Sequence, residues 1–203
     1  MVSTTLQNYN SDDLEQFEGL FRHSKVVGLS DNTDTAITSN TTNITLAQKF
    51  TPTTTAATSY TLNFNNAFYN PHSGHNASAG GILSSTGFKI DGYEQEMFLN
   101  DDGAGNVRRF HYVSGVITYD NTAQGTIDYG TGAITINSLT ISSVSNIRGA
   151  ASTVIELTTQ PASNDIVPVR DQILEIDTAN SSITVTADTF VGGSADAGVG
   201  YTT

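Results

Sequence analysis

Tyr60, Leu62 and Phe64 alternate with Thr61 and Asn63, and short apolar runs of this kind recur at intervals of roughly ten residues through most of the chain. A period of two puts one face of each run in a core and the other in solvent. Runs so short, separated by Gly, Asn and Asp, suggest a sandwich or a small barrel. Phe88 with Ile90, Val116 to Tyr119, and Ser152 to Thr158 read as further strands. Met97 to Val113 reads as a hairpin with Asp101 to Asn106 at its tip. Thr126 to Tyr129 and Ala133 to Asn137 flank Gly130-Thr131-Gly132, a hairpin signal, and Leu139 with Ile141 should continue that pairing. Gln172 to Asp177 and Ser182 to Ala187 are expected to form a last pair. The expectation is a mainly β protein, an antiparallel β-sandwich or small barrel.

Helical spacing occurs once. Leu14, Phe17 and Phe21, behind an Asp12 and Glu15 capping pair, predict an amphipathic helix from Asp12 to about Val27. A strand from Asn43 to Phe50 follows, and Pro52 closes it. Residues 1–52 are therefore read as an α+β segment, 53–191 as a β-rich domain, and 192–203 as a flexible glycine-rich tail. No exact internal repeat is visible.

Composition supports the β assignment and narrows function. Thr, Ser, Asn and Gly are abundant, while charged residues make up 14%, against about 25% in an average domain. The net charge of -12 and pI near 4.4 oppose binding to phosphate backbones, so no nucleic-acid partner is expected. The absence of cysteine removes disulfides and thiolate metal sites. No run is long and apolar enough to span a membrane, and the polar first ten residues do not read as a signal peptide. Cytoplasmic synthesis and no membrane partner follow as expectations.

Motifs for catalysis are missing. No G-x-S-x-G elbow, phosphate loop or dinucleotide fingerprint occurs. His72 and His75 lie three apart, but in a glycine-containing loop that reads as polar surface. The tract Asn100 to Asn106 is rich in oxygen side chains, yet position twelve counted from Asp101 is Tyr112 where a calcium loop needs Glu. Glu94, Glu96, Asp101 and Asp102 could pair as carboxylates or simply cap a strand. No catalytic, cofactor or metal residue is assigned. Five arginines stand in this acidic chain, at 22, 108, 109, 148 and 170. Arg148 and Arg170, beside apolar strands, are the interface candidates, with a local pair to Asp171 or Glu156 as the alternative.

Several phrases resemble the baseplate wedge protein of T-even-type contractile-tailed bacteriophages. They are Phe21 to Val27, Asp31 to Pro52, Ser59 to Asn66, Gly125 to Gly132 and Ile147 to Ser152. Asn164 to Asp177 is the most specific of them. The resemblance runs from about Phe17 to the end and is to the C-terminal portion of a longer protein. It implies a structural virion protein without enzymatic activity or cofactor, assembled in the host cytoplasm. Such a protein joins wedges into a ring through other wedge subunits and self-association, as a dimer within the ring. The alternative is a phage or bacterial surface module for carbohydrate or receptor, with a groove lined by Tyr60, Tyr69, Tyr112 or Tyr119.

Overall fold

The computed structural model describes residues 1–169 and 172–187. Among the described residues ten strands form one antiparallel sheet: β1 Leu46–Phe50, β2 Thr58–Asn63, β3 Ser84–Ser85, β4 Phe88–Ile90, β5 Met97–Asp101, β6 Asn106–Val113, β7 Val116–Asp128, β8 Ala133–Leu139, β9 Ile141–Val144 and β10 Ile155–Thr159. Their order is β1-β10-β3-β5-β6-β7-β8-β2, with β4 pairing both β5 and β9. The sheet curls until its two outer strands nearly meet. Phe50 of β1 and Tyr60 of β2 pack across the gap with ring centroids 4.7 Å apart and planes tilted by 41°, and the Thr53 N–H donates to the Tyr60 hydroxyl. Of the two expected architectures, the chain takes the barrel, almost closed.

The alternating runs supply the interior. Leu62, Phe88, Met97, Leu99, Val107, Ile134, Ile136, Ile155 and Leu157 are buried together, while their strand neighbours face outward. Ile141 does not prolong β8. The chain turns at Thr140, and β9 pairs with β4 instead, with Ile90 opposite Ile141. This buries both Leu139 and Ile141, which a single straight strand could also do, so alternation alone could not reveal the change of partner.

The first fifty residues differ most from expectation. The helices are α1 Val2–Tyr9, continued by one π-helical turn over Asn10–Leu14, and α2 His23–Asp31. The predicted helix from Asp12 to Val27 is broken in its middle. Glu18 takes φ 68° and the chain reverses there, so Leu14 is buried while Phe17 is 83% exposed. The reversal brings Phe21 edge-on to Tyr9, whose hydroxyl donates to the Leu20 carbonyl and accepts from the Arg22 N–H. Tertiary hydrogen bonds thus outweigh a helical spacing that rested on three residues.

Two further contacts cut across the segment boundary placed at Pro52. Strand β1 pairs with β10 from Leu46 opposite Thr159 to Phe50 opposite Ile155, inside the main sheet. The small core of Tyr9, Leu14 and Val26 is completed by Leu174 and Ile176 from the far end of the chain. Residues 172–177 and 182–187 form no strand, contrary to expectation. Their apolar positions Leu174 and Ile176 are spent on the helices, and the Ile176 N–H donates to the Asn10 side chain. The turn at Thr178 to Ser181 is present and is held by Asp177, which accepts from the Asn180 backbone and side chain. The tail expected to be flexible, residues 192–203, lies outside the described residues.

Candidate interaction surface

Strands β6 and β7 are longer than their neighbours. Strand β5 pairs with β6 only up to His111, and β8 pairs with β7 only over Gly125–Asp128. The outer part of the β6–β7 hairpin therefore projects from the barrel with free edges. Its tip is the pair Ser114 and Gly115, at φ 51° and 81°, the positive angles that a type I′ turn requires at both central residues. Glycine adopts this geometry without steric cost.

On the outer face of the hairpin, Phe110 is the buried centre of an aromatic cluster outside the barrel. Phe98 stacks on it at 5.6 Å, while Tyr112 and Tyr119 meet it edge-on at 5.5 and 5.9 Å. Arg108 lies over the Tyr119 ring at 4.4 Å and donates through Nε to Asn100, whose amide donates to the Tyr119 hydroxyl. The rings are thus held in place before any partner arrives. Ile117 stands opposite Tyr112 in the ladder and extends the same face.

The opposite face carries a polar knot where the pairing of β6 and β7 shifts register. Arg109 donates to Asp120 through Nε at 2.7 Å and to Gln124 through Nη1 at 2.8 Å. Gln124, itself buried, accepts from Asn121 and donates to the Asn137 carbonyl. The side chains of Arg109 and Asp120 are both mostly covered, so the pair stiffens the stalk more than a fully solvated pair would. A stiff stalk presents an apolar end: Tyr112 is 51%, Ile117 43% and Val116 67% exposed. Large apolar residues grouped on a projecting hairpin make this face the candidate interaction surface.

The residues singled out in the sequence fall elsewhere. Arg148 sits with Gly149 in a two-residue turn, at φ 53° and 80°, and its Nη2 donates to Glu156 at 3.1 Å. The local pair with Glu156 is thus present. Arg170 and Asp171 lie outside the described residues. Asp101 is fully buried and accepts from the Ile82, Leu83 and Gly103 N–H groups and from Tyr129. Asp102 accepts from the Ala104 and Asn106 N–H groups and the Asn106 amide. Burial would raise the Asp102 pKa, but these hydrogen bonds from Asn106 and Ala104 hold it below the usual carboxylate value. Both carboxylates are committed to the hairpin tip.

The four tyrosines proposed to line a groove do not share one. Tyr60 packs on Phe50 and Tyr69 on His75, while Tyr112 and Tyr119 belong to the hairpin. Sequence reasoning missed the hairpin as a surface. Its signal was present in Val113-Ser114-Gly115-Val116, where a turn pair is flanked by apolar residues on both strands. No helix among the described residues is long and apolar enough to cross a membrane.

No curated protein matches this chain. The most specific of the resembling phrases, Asn164 to Asp177, lies beyond the stretch that a family model matches. Residues 1–49 match the family described as Baseplate structural protein gp6, C-terminal domain III, so that segment of the chain is similar to a structural protein of the phage baseplate.

Proposed function

We propose that this protein is a structural part of a contractile-tail baseplate wedge, without turnover, and that it helps join wedges into a ring through subunit contacts made by the β6–β7 hairpin. The observation that carries this reading is the hairpin itself: a stiffened stalk that leaves the barrel and ends in exposed Tyr112, Val113, Val116 and Ile117. Aromatic residues on a rigid support are the usual anchors of a protein interface. Free strand edges on both sides of the stalk add backbone donors and acceptors for pairing with a neighbour. The acidic surface keeps unassembled subunits soluble until they meet their partners.

Light scattering coupled to size-exclusion chromatography over a concentration series tests the self-association part. A discrete dimer or closed oligomer is expected, reverting to monomer when Tyr112 and Ile117 are both replaced by Ser. A strict monomer at high concentration sinks self-association, and an oligomer indifferent to the two substitutions moves the contact away from the hairpin.

A further inference from the structure

As members of a glycine-containing loop, His72 and His75 have no fixed geometry in the sequence, but the folded chain gives them one. The loop carries a short helix, α3 His75–Ala79, and the two imidazoles cross at 88° with His75 Nδ1 standing 3.3 Å from His72 Nε2. That separation suits a single N–H···N hydrogen bond. It equally suits one tetrahedral ion, because two nitrogens each about 2.0–2.1 Å from the metal stand about 3.3–3.4 Å apart.

The second ring nitrogen of His72 bears on which species the pair can hold. His72 Nδ1 lies 3.2 Å from the Ser73 carbonyl oxygen. A carbonyl only accepts, so in the neutral ring this contact assigns the proton to Nδ1 and leaves a lone pair on Nε2, facing His75. A backbone carbonyl on the remote nitrogen is the arrangement that orients metal-ligating histidines. His75 needs only to carry its own proton on Nε2 for both facing nitrogens to be donors to an ion.

The rings are seated rather than loose. The Tyr69 ring meets His75 edge-on at 5.3 Å. Asn76, next in the chain, is fully buried and donates to the Tyr69 carbonyl at 2.7 Å. The turn also rests directly on the β5–β6 tip. A Cβ at Gly103 would stand 2.0 Å from the Ala77 nitrogen, so only glycine admits this approach.

We propose that His72 and His75 form a two-imidazole surface site for a divalent transition ion of the zinc, nickel or copper class. Imidazole nitrogens favour these ions over calcium or magnesium. Among the described residues no group of three or more His, Cys, Asp or Glu gathers as a metal centre, so water completes the coordination and the ion exchanges readily.

The test is a titration of the full chain with Cu2+, followed by calorimetry and electron paramagnetic resonance, alongside His72→Gln, His75→Gln and the double variant. One exchangeable ion per chain is expected, with hyperfine coupling to two imidazole nitrogens. Each single variant should bind about tenfold more weakly or worse, with the circular dichroism spectrum unchanged. The site is overturned if wild type binds no more tightly than the double variant, or if the ion lost in the double variant couples to fewer than two imidazoles. His23 and His111, left in place in every variant, report any copper held elsewhere.

Discussion

Tyr129 donates its hydroxyl hydrogen to Oδ2 of Asp101, a carboxylate with no exposed surface, and so ties the β7–β8 turn to the β5–β6 tip. Burial, followed by the hydrogen bond to Asp101, drives the phenol well above its ordinary pKa, so it stays a donor across the working range of pH. The same carboxylate collects three backbone N–H groups, from Ile82, Leu83 and Gly103. One side chain therefore gathers the ends of three loops.

Tyr129→Phe should cost about 1–2 kcal/mol, because Asp101 keeps its three backbone donors. Asp101→Ala should cost about 3–5 kcal/mol, since it strands those N–H groups away from water. Urea denaturation of both variants measures the difference. Equal losses would show that Tyr129, not the backbone donors, carries the site.

Closure of the barrel rests on Phe50 against Tyr60. Phe50→Ala should destabilise by about 2 kcal/mol, less than a fully buried phenylalanine because Phe50 is only half-buried. Tyr60→Phe keeps the ring contact and loses only the acceptor for Thr53, a change of about 1 kcal/mol or less. Hydrogen exchange should quicken in β1 and β2 first. Uniform quickening across the sheet would mean that the gap is not the weak point.

Asp177 joins the C-terminal segment to the barrel through Lys49, at 3.2 Å, while Lys49 also reaches the buried Glu156 at 3.4 Å. Burial raises the Asp177 pKa, but hydrogen bonds from Lys49 and Asn180 outweigh it and leave it below the ordinary carboxylate value. Lys49 is raised above 10.5, first by its hydrogen bond to Asp177 and opposed by burial. The depressed carboxylate stabilises fully above its unfolded pKa and loses that contribution as pH falls through the folded one. The raised ammonium stabilises fully below 10.5 and loses its share as pH rises through the folded value. The tether should therefore hold at middle pH and weaken at both extremes, by less than about 1 kcal/mol. Asp177→Asn should flatten the acid limb of a stability profile, and an unchanged acid limb would remove Asp177 from the tether.

Leu174 and Ile176 complete the core of the N-terminal helices. Replacing both by Asp should expose residues 1–31 to limited proteolysis and leave the barrel resistant, because the barrel core shares none of these side chains. Cleavage spread through the barrel would show that the two cores unfold as one.

The sequence by itself determined the class of this protein. Alternation in the runs around Tyr60, Phe88, Met97 and Ile134 dictated half-buried antiparallel strands, and turn residues at Gly130 to Gly132 marked one hairpin. Period two fixes which face is inside, whatever the partner strand is. It does not say which strand lies alongside, and so Ile141 left β8 for β4, β1 joined β10 across the boundary placed at Pro52, and the sheet curled toward a barrel. Only the tertiary structure decided these points, because pairing between strands far apart in sequence depends on the whole packed interior. The same holds at the surface. Tyr112 and Ile117 read as ordinary strand residues until the shorter neighbours β5 and β8 leave them projecting, and His72 and His75 read as loop until α3 settles on Gly103 and turns their nitrogens toward each other. Local pattern sets what each residue can do; distant contacts set what it is free to do.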